Sequence, residues 1–358
     1  MNKTVVIGLA MTLSATAAMA EEINVMSWGG AYGRSQVEAY YKPFTAQTGI
    51  KVVGLDSDNP AIPLKAQVEA GNVLVNVADV EYADAIRLCD EGLLEPINPA
   101  MLPPAPDGTP ATEDFLPQGL SDCAVGSIVF STIVAYDRTK YPDLKPQTLA
   151  DFFDTQKFPG KRGIKKVPKA VLEMALMGDG VPADQVYALL ATPEGVDRAF
   201  AKLDRIKKDI VWWEAGAQPP QLLADGEVAM TMAYNGRIFG AAVTEGKPFE
   251  ILWDGQVYEY NLFVIPRGAQ KQQQALEFIK FATDTQRLAD QAKWISYGPA
   301  RKSSAKLVGL YEDGKTEMAP HMPTNPANMS NALSSSYEFW IDHESELAER
   351  FSSWLSLK

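Results

Sequence analysis

Histidine is almost missing from this chain. His321 and His343 are the only two in 358 residues, which leaves little material for imidazole acid–base chemistry or histidine-built metal sites. Cysteine is as scarce, with Cys89 and Cys123 alone, so zinc ribbons and disulfide-dense scaffolds are excluded. No stretch approaches the ~18 consecutive apolar residues of a membrane-crossing helix. Positive charge is in deficit: 33 Lys and Arg face 45 Asp and Glu, a formal net charge of −12. Such a surface repels phosphate backbones and anionic lipid, which argues against nucleic-acid and membrane-surface roles. There is no G-x-S-x-G elbow and no HExxH. GLYEDGKT at 309–316 does satisfy the G-x-x-x-x-G-K-S/T pattern of a phosphate loop. Polar residues precede it, Pro320 follows it, and Glu312 and Asp313 inside it would repel phosphate, so it reads as a surface turn.

What is present begins with an address. Lys3 precedes an apolar run from Val5 to Leu13, and Ala18-Met19-Ala20 is a small-x-small cleavage site ahead of Glu21. This is the pattern of a signal peptide cut after Ala20, with no cysteine there for lipidation, and it places the protein outside the inner membrane. An even cysteine count in an exported chain favours a Cys89–Cys123 disulfide over two buried thiols. The length exceeds what one core usually supports, and two domains follow.

Along the chain, INVMS (23–27) is a strand that runs into Trp28-Gly29-Gly30-Ala31-Tyr32-Gly33, with a helix from about Ser35 to Thr48 and a strand from Ile50 to Leu55. A strand, glycine loop, helix and strand in succession open a parallel α/β unit. The glycines let backbone N–H groups come close to a bound group, and Trp28 offers an aromatic wall. Glu81 ends the strand 78–81, where it either faces a crevice or caps the next helix. The β-branched run Gly126–Tyr136 reads as a buried strand, after which the chain crosses to a second lobe. From Asp209 to Phe239 a strand ends at Trp212-Trp213, a Gly/Pro-marked loop follows, and the strand 228–233 delivers Tyr234-Asn235-Gly236-Arg237 at a turn. An aromatic, an amide and a guanidinium at a strand end suit a ligand contact. Strands at 249–253 and 256–265 follow, the second carrying Glu259 and Asn261 and returning to the first lobe. Tyr297 lies in a turn, and the C-terminal segment 336–357 is helical and includes Trp340.

The signal peptide, SWGGAYG, WWEAGAQPPQLLADGE and AYNGRI together resemble the spermidine/putrescine-type periplasmic solute-binding proteins of ABC importers, over essentially the whole mature chain. The resemblance implies an α/β, two-lobe periplasmic binding protein fold, each lobe a mixed sheet flanked by helices, joined by crossover hinge strands. It implies lobes of about 21–135 plus 262–305 and 136–261 plus 306–358, closing on a solute between them. It also implies ligand contacts from Trp28, Gly29, Gly30, Tyr32, Glu81, Tyr234, Tyr297 and Trp340. Departures from the polyamine pattern are as informative. Asn261 stands where an amine-holding Asp is expected, 167–170 has no carboxylate where second-lobe acids belong, and Arg237 adds a positive charge. A solute with a carboxylate for Arg237 and an amine for Glu81 or Glu259 suits these residues better than a diamine does. A structural ion pair of Arg237 with Glu214 is the alternative.

The expectation is therefore a monomeric, non-catalytic carrier without metal or cofactor. It binds a polyamine-like or short amino-acid-like solute in the periplasm and hands it to an ABC permease in the inner membrane. A ferric-ion carrier of the same fold needs clustered tyrosines, and a secreted hydrolase needs a free carboxylate pair; these are the rivals.

Overall fold

The computed structural model describes residues 21–357. The signal peptide expected at residues 1–20 lies outside them. Eight strands matter here: β1 (Glu22–Ser27), β2 (Lys51–Asp56), β3 (Val77–Glu81), β4 (Ala124–Asp137), β5 (Arg162–Lys165), β6 (Ile210–Trp213), β7 (Met230–Tyr234) and β8 (Phe249–Val264). They form one sheet in the order β2-β1-β3-β8-β4-β7-β5-β6. At one end β1 runs parallel to β2 and β3, and at the other β5 runs parallel to β6 and β7. Each end has helices over it and its own apolar core. One core gathers Ile23, Val77, Phe263 and Phe278; the other gathers Phe152, Leu172, Phe200 and Trp340.

The two ends share β4 and β8, antiparallel partners through the middle of the molecule. All 14 residues of β4 are buried, as an unbroken β-branched run requires when both sheet faces are covered. The β4–β8 register slips between Gly126 and Ile128 and again between Thr132 and Val134. Such irregularities bend and twist a strand, and here they lie in the two strands that both ends of the sheet share. The second slip explains a difference from the sequence reading. Asp254-Gly255 looks like a turn between two strands, yet β8 is continuous, with Gly255 at φ 72° absorbing the irregularity.

The first helix also begins earlier than its composition suggests, at Gly30, directly behind Trp28 and Gly29. It passes through a π-helical turn at Val37–Tyr41 before continuing as Lys42–Thr48. Pro43 sits just after that wider turn, which relieves the missing N–H and the ring clash proline brings to a helix. The Cys89–Cys123 disulfide is formed, tying the Tyr82–Asp90 helix to the start of β4.

Candidate functional site

Between the two ends of the sheet lies a narrow cavity of about 40 Å³, well below the ~300–1,000 Å³ of ordinary ligand pockets. β4 passes beneath it and contributes Ile128 and Phe130. Trp28 and Tyr32 come from the glycine loop and first helical turn, Tyr234 from the end of β7, and Tyr297 from the loop after Thr285–Ala292. The rings are braced edge to face: Tyr32 on Tyr297 at 5.4 Å, Phe130 on Tyr234 at 5.5 Å, and Tyr234 on Trp213 at 5.9 Å. The remaining lining residues are Glu81, Arg237 and Asn261, so among the described residues one carboxylate and one guanidinium are the formal charges on the wall.

Tyr32 is fixed from behind. Its hydroxyl donates to Asp79 on β3, which also accepts from Gln36 Nε2 at 2.5 Å. With the hydroxyl committed, Tyr32 has its ring to offer the cavity. Burial pushes the Asp79 carboxyl up to about 7, although the hydrogen bonds from Tyr32, Gln36, Asn261 and Ser127 oppose it.

Arg237 is the unusual group. Nη2 donates to the carbonyls of Gly29 at 3.2 Å and Trp28 at 3.4 Å, while its buried Nε has no partner. Among the described residues it faces no carboxylate within ion-pair distance; Glu214, the alternative partner, pairs instead with Lys166 at 3.2 Å. A partly buried guanidinium held only by carbonyls is short of the anion that would compensate it. Gly30, at φ 56°, makes room for this group, because a Cβ there would collide with Arg237 Nη1. Here the glycines serve the arginine, and they border an adjoining opening beyond it rather than the aromatic cavity itself.

Trp28, Glu81 and Tyr234 also line an adjoining, larger chamber, here called the outer one, together with Lys165, Lys169, Glu259, Trp213 and Glu344, among others. Glu81 at the end of β3 lies opposite Asn261 on β8, and Glu259 is two residues along the same strand face. The Lys169 ammonium donates to Glu81 Oε2 at 2.8 Å and pairs with Glu259 as well. Lys165 Nζ donates to the Tyr234 hydroxyl at 2.6 Å. Burial works against charge on both acids. The Lys169 and Lys165 ammoniums outweigh it at Glu81, whose carboxyl is held below its ordinary range, whereas Glu259 is pushed up to about 7.

Two expected contacts are elsewhere. Asn235 is the first residue of a short helix, Asn235–Phe239, rather than part of an exposed turn. Its side chain is fully buried, accepting from Ser131 N at 3.1 Å and donating to the Ser296 carbonyl at 2.5 Å, so it ties β4 to the Tyr297 loop from behind. Trp340 lies in the second lobe's core, its indole N–H on Glu173 Oε1 at 2.7 Å, and does not border the cavity. Residues missed from sequence are Ile128 and Phe130, which look like core in a β-branched run, and Lys165 and Lys169, which look like surface lysines around Pro168. The GLYEDGKT loop spends its own amides on a carboxylate, since Asp313 Oδ1 accepts from Lys315 N at 2.8 Å and Thr316 N at 2.9 Å.

Residues 39–324 match the bacterial extracellular solute-binding protein family. The gamma-aminobutyric acid-binding protein of Pseudomonas aeruginosa is 43% identical over 347 residues, covering 97% of this chain and 94% of that one. Among solved structures, a GABA receptor is 33% identical with a TM-score of 0.79, over 94% of this chain and 98% of that one. An ABC transporter substrate-binding protein from Bradyrhizobium japonicum USDA 110 is 31% identical with a TM-score of 0.83, over 94% of this chain and all of that one. The chain belongs to the bacterial extracellular solute-binding proteins, the solute-capturing components of ABC transporters.

Proposed function

We propose that this protein captures a short ω-amino acid of the 4-aminobutanoate type in the periplasm, after cleavage behind Ala20, and delivers it unchanged, as a monomer, to an inner-membrane permease. The observation that carries this reading is the charge on the inner wall, one guanidinium and one carboxylate among aromatic rings. A zwitterion matches both. Its carboxylate meets Arg237, which can grip it bidentately. Its ammonium meets Glu81, and its methylenes lie against Tyr32, Phe130, Tyr234 and Tyr297, where an ammonium also gains cation–π attraction. A diamine would set a second cation beside the uncompensated Arg237, and a dicarboxylate would set a second anion beside Glu81. The names of the GABA-binding relatives point to the same class of solute.

The rivals fit the wall less well. Three tyrosines do meet in the cavity, as an iron carrier would need. However, the Tyr32 hydroxyl is committed to Asp79 and that of Tyr234 to Lys165, while burial pushes Tyr297 up to about 12, so phenolate ligands are not at hand. A hydrolase needs two carboxylates free to act, and Glu81 and Glu259 share one lysine. Closure follows from the fold: we place the lobe boundary near 135–136 and 261–262, with the pivot at the nearby register slips in β4 and β8.

Titration calorimetry with 4-aminobutanoate, 1,4-diaminobutane, succinate and glycine betaine tests the proposal. The expected result is tight stoichiometric binding of 4-aminobutanoate, with the other three weaker by at least ~100-fold, or about 2.7 kcal/mol. Tighter binding of the diamine or of succinate would overturn it.

A further inference from the structure

The outer chamber holds a cation that the reading above does not use. Lys169 stands on the segment between β5 and the Val171–Gly178 helix, followed by Ala170 in the left-handed region at φ 64°. Its side chain is 17% exposed, as is that of Glu81, and Glu259 is at 9%. A lysine this enclosed does not arrive by chance of solvation. Its ammonium sits between two acids brought together by the β3–β8 register, one at a strand end and one in the strand that crosses between lobes. Glu81 faces both chambers, whereas Lys169 and Glu259 border the outer one. The wall between the chambers is therefore two aromatic rings, Trp28 and Tyr234, and one carboxylate, and that carboxylate carries an ammonium on the side of the outer chamber.

We propose that Lys169 is a specificity-determining residue that sets the length of the solute: it occupies the seat between Glu81 and Glu259, so an incoming ammonium stops at the near side of Glu81. This rests on the reading that an ω-amino acid binds between Arg237 and Glu81. The carboxylate end is fixed by Arg237. The position of the other end is fixed only if the acid pair behind Glu81 is already filled. Without the lysine, two acids compete for the solute's ammonium, and the farther seat, in contact with both, is the stronger electrostatically. The seat lies one hydrogen bond beyond Glu81, at the 2.8 Å between Lys169 Nζ and Glu81 Oε2. A methylene adds roughly 1.3 Å of reach, from a 1.5 Å bond at about 111°; passing from a hydrogen bond on the near side of Glu81 to the seat spans up to two such bonds, about 5.6 Å, so reaching it takes about four more methylenes. Like-charge repulsion from the resident ammonium also disfavours longer amines in the intact protein.

The test is a chain-length series of ω-amino acids, from 3-aminopropanoate to 9-aminononanoate, titrated into the wild type, Lys169→Ala and Lys169→Arg. The wild type should prefer a short member. In Lys169→Ala the optimum should move longer, with the affinity ratio of 8-aminooctanoate to 4-aminobutanoate rising at least about tenfold. Methylammonium added to Lys169→Ala should refill the seat and restore the short optimum, and Lys169→Arg should keep it throughout. A purely structural lysine would lower affinity for all lengths together and would not respond to methylammonium in this way. An unmoved optimum in Lys169→Ala overturns the inference and leaves the assignment of the solute class intact; no ω-amino acid binding at any length in the wild type overturns both. If Lys169→Ala fails to fold, Lys169→Ser, which empties the same seat while leaving a hydroxyl near the backbone, carries the same expectation and the same refutation.

Discussion

Replacing Arg237 with methionine removes the guanidinium while keeping an unbranched apolar stem. If the solute's carboxylate sits on Arg237, the variant leaves that carboxylate without its partner in an aromatic enclosure. Truncating one side of a buried, hydrogen-bonded charge pair typically costs 2–5 kcal/mol. Arg237 is only partly buried, so the lower half of that range applies, and about 3 kcal/mol corresponds to roughly a 150-fold loss in Kd. Affinity alone does not isolate the cause, because Arg237 also holds the carbonyls of Trp28 and Gly29. Titration with 1-aminobutane, which keeps the ammonium and the chain but lacks the carboxylate, separates the two effects. The loss should fall on 4-aminobutanoate and be within about threefold for 1-aminobutane, the difference being the coupling energy of the carboxylate with Arg237. Gly30→Ala supplies a second route to the same displacement, since its Cβ runs into Nη1. It should weaken 4-aminobutanoate binding in the wild type and add little in the Arg237→Met background. Equal losses for the two solutes, or additive losses in the double variant, would refute the placement of the carboxylate.

The Cys89→Ser, Cys123→Ser double variant opens a loop of sequence separation 34; the chain-entropy relation gives about 4 kcal/mol of lost stability, read as a lower melting temperature that reductant no longer affects. Trp340→Phe should lower the melting temperature, through the lost hydrogen bond to Glu173, and leave solute affinity within about twofold; a larger loss of affinity would return Trp340 to the site. Glu173 supplies a pH prediction. Burial pushes its carboxyl up to about 7, so the native state binds the proton more tightly than the unfolded chain. Its contribution is greatest below the unfolded value near 4.5 and falls as pH rises to about 7, by at most roughly 3 kcal/mol. Glu173→Gln keeps the oxygen that accepts from Trp340 and Tyr187 but does not titrate. The variant should gain melting temperature relative to wild type at pH 8 more than at pH 5, over the residual slope from Asp79 and Glu259, which burial also pushes to about 7. The same difference at both pH values would refute the assignment.

The parts of this molecule that could be read from its sequence are those decided locally. A β-branched run as dense as Gly126–Tyr136 has no stable option except a covered strand, and a strand meeting Trp-Gly-Gly must turn where its backbone can approach something else. The continuity of β8 through Asp254-Gly255 was hidden because it depends on pairing with β4, more than a hundred residues away. Asn235 misled for a related reason: beside Tyr234 and Arg237 it looks like a third contact, but a helical first turn sends neighbouring side chains in different directions. The ring goes to the cavity and the amide goes to the back of β4. Lys169 was least legible, since a lysine after proline looks solvated until the β3–β8 register sets two acids around it. That register carries a wider consequence. Substituting Asn261 for the Asp of a polyamine site removes an acid, yet Glu81 and Glu259 still leave two in the same neighbourhood. Counting acids by alignment therefore leaves the solute class open between one amine and two. Counting them after pairing supports the proposal of one amine, because Lys169 pairs with both Glu259 and Glu81 and leaves one carboxylate on the wall that also holds Arg237. The proposed preference for a zwitterion over a diamine thus rests on how the protein's own charges are paired, and the residue on which it turns is a cation the solute is not expected to touch.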